Sequence, residues 1–159
     1  MQNFDTLFKG ISPNKFAENI FQDLFFEEAS AFLQTAFQSQ VLLAHNISLG
    51  AALENISKTD QSHFSLLGKA ITLLGGKPLL KTSAGKFFSG KNICQTTNAL
   101  GILLEDITLK EKSVIAYKTA IAKLQSRHLK QILQEILLQE EYHLEILKNV
   151  VKNFKTQSK

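Results

Sequence analysis

The chain has 159 residues, of which 44% are hydrophobic and 20% are charged, a balance typical of one globular domain. Its formal net charge of +4 comes from dispersed lysines with a single arginine, and no nucleic-acid-binding motif accompanies them, so we expect no specific nucleic-acid partner. The one cysteine excludes an internal disulfide and a thiolate metal cluster.

The chain also lacks the marks of a membrane or exported protein. No apolar run approaches the ~20 residues that a membrane-spanning helix needs. The first ten residues, MQNFDTLFKG, are mixed in character and do not form a signal-peptide pattern. We therefore expect a cytoplasmic protein without a membrane partner.

The N-terminal part of the chain is predicted to be helical. The stretch SPNKFAENIFQDLFF begins with Ser12 as a candidate N-cap and Pro13 at the first helical position. From about 29 to 47, inward residues are predicted at helical spacing. They are Ala29, Leu33, Ala36, Phe37, Gln40, Ala44 and Ile47.

Three more helices are predicted, over about 50–74, 95–125 and 129–154. Gly75 and Gly76 end the second helix, and a long glycine-bearing connection follows to about residue 92. The other connections are short.

Two helical hairpins joined by one long crossover predict an all-α, ferritin-like four-helix bundle. A pair of antiparallel coiled-coil hairpins would also have short turns but has no need of the crossover. The predicted organisation is a helical extension over 1–28, the bundle over 29–154 and a tail over 155–159.

Carboxylate and imidazole groups recur on the predicted inward faces. Asp60 and His63 on the second helix repeat the three-residue spacing of Glu140 and His143 on the fourth, and Glu111 is predicted to face inward on the third. On a helix this spacing places both groups of a pair on one face. Five polar groups are therefore expected to converge at one level of the bundle.

Buried carboxylates this close together repel one another unless cations neutralise them. Iron, manganese or zinc would do so with a mixed carboxylate and imidazole ligand set, as in di-iron and di-manganese bundles. Residue by residue, the alternative is a hydrogen-bonded core histidine, or a Glu111 paired on the surface with Lys110 or Lys112.

Over roughly residues 30–150 the chain resembles the ferritin-like superfamily, in particular small rubrerythrin-like and manganese-catalase-like bacterial proteins. The segments that carry the resemblance are DQSHFSLLGKAITLLGGKP (60–78), FFSGKNI (87–93), EKSVIAY (111–117) and QEEYHLEIL (139–147). The resemblance implies a non-haem di-metal site, redox chemistry with oxygen or peroxide, and frequent dimerisation.

The chain departs from that family at the first helix, where a ligand glutamate is expected near Leu33 or Gln34. No acid occurs between Ala29 and Leu53, and Glu27 and Glu28 are predicted to lie on the polar side of the helix. Gln34 is therefore a candidate substitute ligand. At the second helix Asp60 stands where the family has the longer glutamate.

Lys118 is a candidate charge substitute for a metal, because it lies two turns from Glu111 on the same predicted face. The alternative is that Lys118 extends its ammonium to the solvent along the core surface. The same predicted orientation of the third helix places Tyr117 outside its inward-facing stripe.

Two functions remain open at this point. One is a metal-binding protein with an incomplete di-iron or di-manganese site that holds one or two ions and acts as a non-haem oxidoreductase on peroxide or oxygen. With one cysteine, such a protein would need a separate electron donor. The other is a degenerate bundle with a structural or protein-interaction role. Iron storage in a shell is a less favoured third class. The six phenylalanines between residues 16 and 37 suggest a homodimer surface under either function.

Overall fold

The computed structural model describes residues 8–157. Its long helices are α1 (Lys15–Leu43), α2 (Ile47–Leu73), α3 (Ala99–Lys123) and α4 (Arg127–Gln157). α1 packs on α2, α3 packs on α4, and α1 also contacts α3. The predicted all-α four-helix bundle of two hairpins and a long crossover is confirmed.

Helix bounds differ from the predicted ones mainly at the first helix. α1 begins at Lys15 and runs without interruption through residues 28 and 29, so the start predicted at residue 29 is wrong. α4 continues to Gln157, which includes part of the predicted tail. The first seven residues of the predicted extension and the last two of the tail lie outside the described residues.

Asparagine side chains define the starts of three helices. Oδ1 of Asn14, Asn46 and Asn98 accepts a hydrogen bond from the backbone N–H three residues later, at 3.0 Å in each case. Each bond satisfies one of the N–H groups that have no partner within the helix. The N-cap of α1 is therefore Asn14, and the predicted Ser12 cap is wrong.

Glycines fix both ends of α2. At its start, a Cβ on Gly50 would lie 2.6 Å from the backbone nitrogen of Leu43, so only glycine allows the tight turn between α1 and α2. At its end, Gly75 adopts a φ of 91°, the left-handed conformation that commonly terminates a helix.

The crossover between α2 and α3 is attached to α1 by side-chain hydrogen bonds. Nε2 of Gln22 donates to the carbonyls of Leu79 and Lys81, and its Oε1 accepts from the backbone N–H of Leu79. Asp23 accepts from the backbone and the hydroxyl of Ser83. A single turn of 3-10 helix, Gly90–Asn92, follows before α3.

The bundle core consists of two apolar clusters at different levels. One cluster lies toward the α3–α4 turn and the other toward the α1–α2 turn. The first includes Phe21, Leu67, Ile71, Ile132 and Ile136; the second includes Leu42, Leu53, Ile56, Leu103 and Leu147. Apart from Gln22, the buried polar side chains of the four helices lie between these two levels, and they include the candidate site.

Candidate metal centre

α2 and α4 place their polar pairs in the core as predicted. Asp60, His63, Glu140 and His143 are all buried, the most exposed being His143 at 5%. The inward stripe of α2 is confirmed throughout. It consists of Leu53, Ile56, Asp60, His63, Leu67, Ile71 and Leu74.

α1 contributes a carboxylate that sequence reasoning placed on the wrong face. Glu28 is 2% exposed, whereas its neighbour Glu27 is exposed. The predicted inward residues Phe37 and Gln40 are exposed instead. The signal was present, since Glu28 follows the apolar residues Phe21 and Leu24 by seven and four positions, but a helix taken to begin at Ala29 excluded it.

α3 is rotated by one residue from the predicted orientation. Glu111 lies on the exposed face, where its carboxylate pairs with Lys148 at 2.8 Å, so its predicted inward position is wrong. The residue that enters the core is Lys110, which is fully buried.

The same rotation reverses the roles predicted for Tyr117 and Lys118. Tyr117 is 1% exposed and points into the bundle. Lys118 is exposed and pairs with Glu141 at 2.7 Å on the surface. The candidate charge substitute is therefore on α3, as predicted, but it is Lys110 rather than Lys118.

The ammonium of Lys110 lies among carboxylate oxygens. Its Nζ is 2.6 Å from Oδ1 of Asp60 and 3.0 Å from both carboxylate oxygens of Glu140. Burial would lower the pKa of Lys110, but Asp60, Glu140 and Glu28 outweigh burial and raise it. Burial would likewise raise the pKa of Glu140, and Lys110 and the two imidazoles hold it well below its usual range. Lys110 and Glu140 are therefore a charged pair.

His63 directs its Nδ1 toward the carboxyl groups of Glu140 and Glu28. Its other ring nitrogen, Nε2, is hydrogen-bonded to Oε1 of Gln139 at 3.2 Å, and Nε2 of Gln139 donates to the carbonyl of Glu135. Among the described residues Nδ1 has no hydrogen-bond partner, and it lies 3.3 Å from Oε1 of Glu140 and 3.8 Å from Oε1 of Glu28.

Glu28 is held in place by Tyr117. The Tyr117 hydroxyl donates to Oε1 of Glu28 at 2.6 Å, while Oε2 has no partner among the described residues. Burial raises the pKa of Glu28 well above its usual range, and the negative charges of Glu140 and Asp60 raise it further. The surroundings of Glu28 therefore favour its protonated form unless a further cation is present.

His143 lies beside the carboxylates of Asp60 and Glu140. Its Nδ1 is 3.4 Å from Oδ1 of Asp60 and 3.7 Å from Oε1 of Glu140. Burial would lower the pKa of His143, but the nearby carboxylates of Asp60 and Glu140 raise it.

A fourth buried acid, Asp106, lies one turn before Lys110 on α3. The amide of Gln34 donates to Asp106 at 2.9 Å, and Gln38, with its amide nitrogen turned toward Asp106, donates at 2.7 Å. Oε1 of Gln34 accepts from the backbone N–H of Cys94 in the crossover. Both polar atoms of Gln34, the predicted substitute ligand, are therefore engaged away from the cluster.

The crossover covers a pocket of about 250 Å³ beside this acid. Its lining includes Gln34 and Cys94, together with residues of α3 such as Glu105 and Lys112. Gln34 links this pocket to the buried polar residues, because it lines the pocket and donates a hydrogen bond to Asp106.

Four residues of the cluster are arranged as a set of metal ligands would be. Glu28, Asp60, His63 and Glu140 each offer one ligand atom, and these atoms all lie within 4.8 Å of one another. Oε2 of Glu28, Oδ2 of Asp60 and Nδ1 of His63 are buried and have no hydrogen-bond partner among the described residues. Buried carboxylate oxygens and an imidazole nitrogen without hydrogen-bond partners are stabilised when a cation lies between them, so this part of the cluster fits a metal ion.

The architecture and this cluster together define a ferritin-like bundle with a buried carboxylate and imidazole centre. The ferritin-like domain family matches residues 17–153, and the chain belongs to that family. No curated protein sequence matches it.

Solved structures share the fold at low identity. The manganese catalase KatB of Anabaena superposes in two structures with TM-scores of 0.80 and 0.81 at 19% identity, covering 91% of this chain and 74% of that one. Bacterioferritin of Rhodobacter capsulatus (TM-score 0.79, 15% identity) and bacterioferritin BfrA of Mycobacterium tuberculosis (0.80, 16%) are each matched over 91% of this chain and 89% of theirs. Within residues 8–157, no helix has both the length and the apolarity to cross a membrane.

Proposed function

We propose that the protein binds one redox-active divalent ion, iron or manganese, between Glu28, His63 and Glu140, with Asp60 at the edge of the site, and that the centre reduces peroxide or oxygen. The observation that supports this most directly is the unpartnered Nδ1 of His63 between two buried carboxylates. That arrangement is unfavourable unless a cation or a proton is present.

The residues around the ion would each have a defined part. Tyr117 orients Glu28, Gln139 fixes the ring of His63, and Lys110 holds Glu140 as a carboxylate. Such outer contacts orient ligands and tune their basicity. A bound iron or manganese ion would supply the change of oxidation state that peroxide or oxygen reduction requires.

Binding would displace a proton from the site. Burial and the neighbouring acids raise the pKa of Glu28 and so favour its protonated form, whereas the group must be ionised to act as a ligand. Metal affinity should therefore fall as the pH is lowered. The electrons would come from a separate donor, because the chain has one cysteine and so cannot form a four-cysteine iron module of its own.

The first prediction concerns metal content per chain, measured by elemental mass spectrometry on protein purified without chelator or affinity-tag nickel. We expect about one equivalent of iron or manganese in the native chain. Glu28→Gln keeps the acceptor for Tyr117 but removes a charged ligand, and it should lose most of the metal.

The control is Glu111→Gln, because Glu111 pairs on the surface with Lys148. It should keep the native metal content. Native protein without metal, even after anaerobic loading with ferrous or manganous ions, would contradict the proposal, as would equal loss in both variants.

The second candidate function is a metal-free structural or interaction bundle. One observation favours it: Lys110 already supplies a buried positive charge to Asp60 and Glu140. Much of the negative charge of the cluster is then balanced by the polypeptide itself. A metal-free result in the experiment above would favour this function.

A further inference from the structure

The ammonium of Lys110 lies at a second position in the cluster, among acids that it shares with the site around His63. Oδ1 of Asp60 and both carboxylate oxygens of Glu140 surround it at 2.6 to 3.0 Å. All three side chains are fully buried.

An imidazole completes that set. Nδ1 of His143 lies 3.4 Å from Oδ1 of Asp60 and 3.7 Å from Oε1 of Glu140, the same two carboxylates that bind Lys110. Among the described residues this nitrogen has no hydrogen-bond partner. Two carboxylates and an imidazole around one buried position are donors suited to iron, manganese or zinc.

We propose that Asp60, Glu140 and His143 form a latent second metal site, and that the side chain of Lys110 blocks it by placing its own ammonium there. Lys110 is thereby the residue that determines how many metal ions the bundle holds. The count of one ion in the native chain rests on the proposed function; the blocked second site does not.

The side-chain geometry supports the exchange of an ammonium for an ion. The oxygens of Glu140 are 3.0 Å from Nζ, and metal–oxygen bonds to carboxylates are about 2 Å long. The ligands would therefore need to move by about 1 Å to bind an ion at the position of Nζ. The ammonium and an ion cannot be present together, because they would share one position and repel each other.

Lys110→Glu would open this site. A glutamate oxygen is one bond nearer the backbone than Nζ of lysine. An ion at the former position of Nζ could therefore bind that oxygen. The variant would also leave Glu28, Asp60, Glu140 and the introduced glutamate close together without Lys110. Four ionised acids carry four negative charges, which two divalent ions would balance.

Two controls separate the site from general effects of charge. Lys110→Met removes the ammonium but keeps an unbranched apolar side chain in the same space, so it should not gain an ion. Lys112→Glu makes the same charge change on the exposed face of α3, two residues away, and should also leave the count unchanged.

The test is to load each protein anaerobically with manganous ions, remove the excess, and measure manganese per chain by elemental mass spectrometry. Electron paramagnetic resonance is the second readout, because two manganese ions that share Glu140 couple magnetically and a single ion does not. Lys110→Glu should bind one ion more than the native chain and show the coupled signal.

The outcomes for the two proposals are distinguishable. Native protein with one ion and Lys110→Glu with no more would overturn the latent site and leave the proposed function standing. Native protein without metal and Lys110→Glu with a gained ion would overturn the proposed function and leave the latent site standing. If Lys110→Glu does not fold, by circular dichroism, Lys110→Ser opens the same space without an added acid, and an unchanged count there would overturn the inference.

Discussion

Tyr117 and Tyr142 are the two tyrosines of the chain, and they occupy opposite environments. Tyr117 is 1% exposed and donates its hydroxyl proton to Glu28, whereas Tyr142 is 63% exposed. The cluster therefore depends on one phenol and not on the other.

Tyr117→Phe should lower the free energy of unfolding by about 1–3 kcal/mol, measured by urea denaturation. The substitution removes the donor to Oε1 of Glu28, and the other oxygen of that carboxyl group already has no partner among the described residues. Tyr142→Phe should change stability by no more than about 0.5 kcal/mol. Equal effects of the two substitutions would show that the Tyr117–Glu28 bond contributes nothing.

Asp106 makes stability depend on pH. Burial raises its pKa to about 7, although the hydrogen bond from Gln34 and the charge of Lys110 act in the opposite direction. An aspartate in an unfolded chain has a pKa of about 3.9. Between about pH 4 and pH 7 the folded state therefore holds a proton that the unfolded state releases. The stabilisation is complete below about pH 4 and is lost as the pH rises through 7.

Asp106→Asn should remove this dependence, because an amide is neutral at every pH in the range and can pair with Gln34 and Gln38. Measured by urea denaturation between pH 5 and pH 8, the variant should gain stability relative to the native chain as the pH rises. Each unit of pKa difference corresponds to about 1.4 kcal/mol. Glu145→Gln, a change at an exposed residue of α4, should follow the native profile. Parallel profiles for the native chain and Asp106→Asn would contradict the assignment.

At the scale of the helices, sequence reasoning succeeded where apolar residues mark the inward face clearly. The stripes of α2 and α4 hold the expected residues, including Asp60, His63, Glu140 and His143. In both helices the polar pairs interrupt regular rows of leucine and isoleucine, so hydrophobic periodicity was sufficient to orient them.

α1 and α3 could not be oriented in the same way, because their buried faces carry many polar side chains. α1 buries Gln34, Thr35, Gln38 and Ser39 while Phe37 is 39% exposed. α3 buries polar residues too, while several of its apolar residues are exposed. They are Asp106, Lys110 and Ser113 on the buried side, and Leu104 and Ile115 on the exposed side. Which face of such a helix is buried depends on neighbouring helices, and that information is not local.

The crossover depends on one side chain for much of its attachment. Gln22, itself 6% exposed, makes three hydrogen bonds to the backbone of Leu79 and Lys81. Gln22→Leu should release this segment and increase the rate of tryptic cleavage after Lys81 or Lys86 several-fold, with the helices intact by circular dichroism.

Gln40→Leu is the matched control, because Gln40 is an exposed residue of the same helix. Its tryptic cleavage should match that of the native chain. Cleavage of Gln22→Leu at the native rate would show that Asp23 and the remaining contacts hold the crossover without Gln22.

At the scale of the whole molecule, the fold was predictable because it depends on features that the sequence states locally. Helix-length apolar periods, glycines after α2 and one long connection among short ones define two hairpins and a crossover. The level of the candidate metal centre along the bundle was also predictable from the sequence, since α2 and α4 each carry a polar pair between two apolar clusters. The homodimer stays a prediction; of the six phenylalanines behind it, Phe16 is 59% exposed and Phe37 39%.

The buried lysine has a consequence for how the protein is supplied with cations. An ion exchanges with its surroundings and can be removed by a chelator, whereas the ammonium of Lys110 is attached to the chain and cannot leave its place between Asp60 and Glu140. Each molecule therefore carries one positive charge of the centre as part of its own polypeptide chain. Under the proposed function, a change in metal supply would alter only the positive charge that a bound ion adds to the centre.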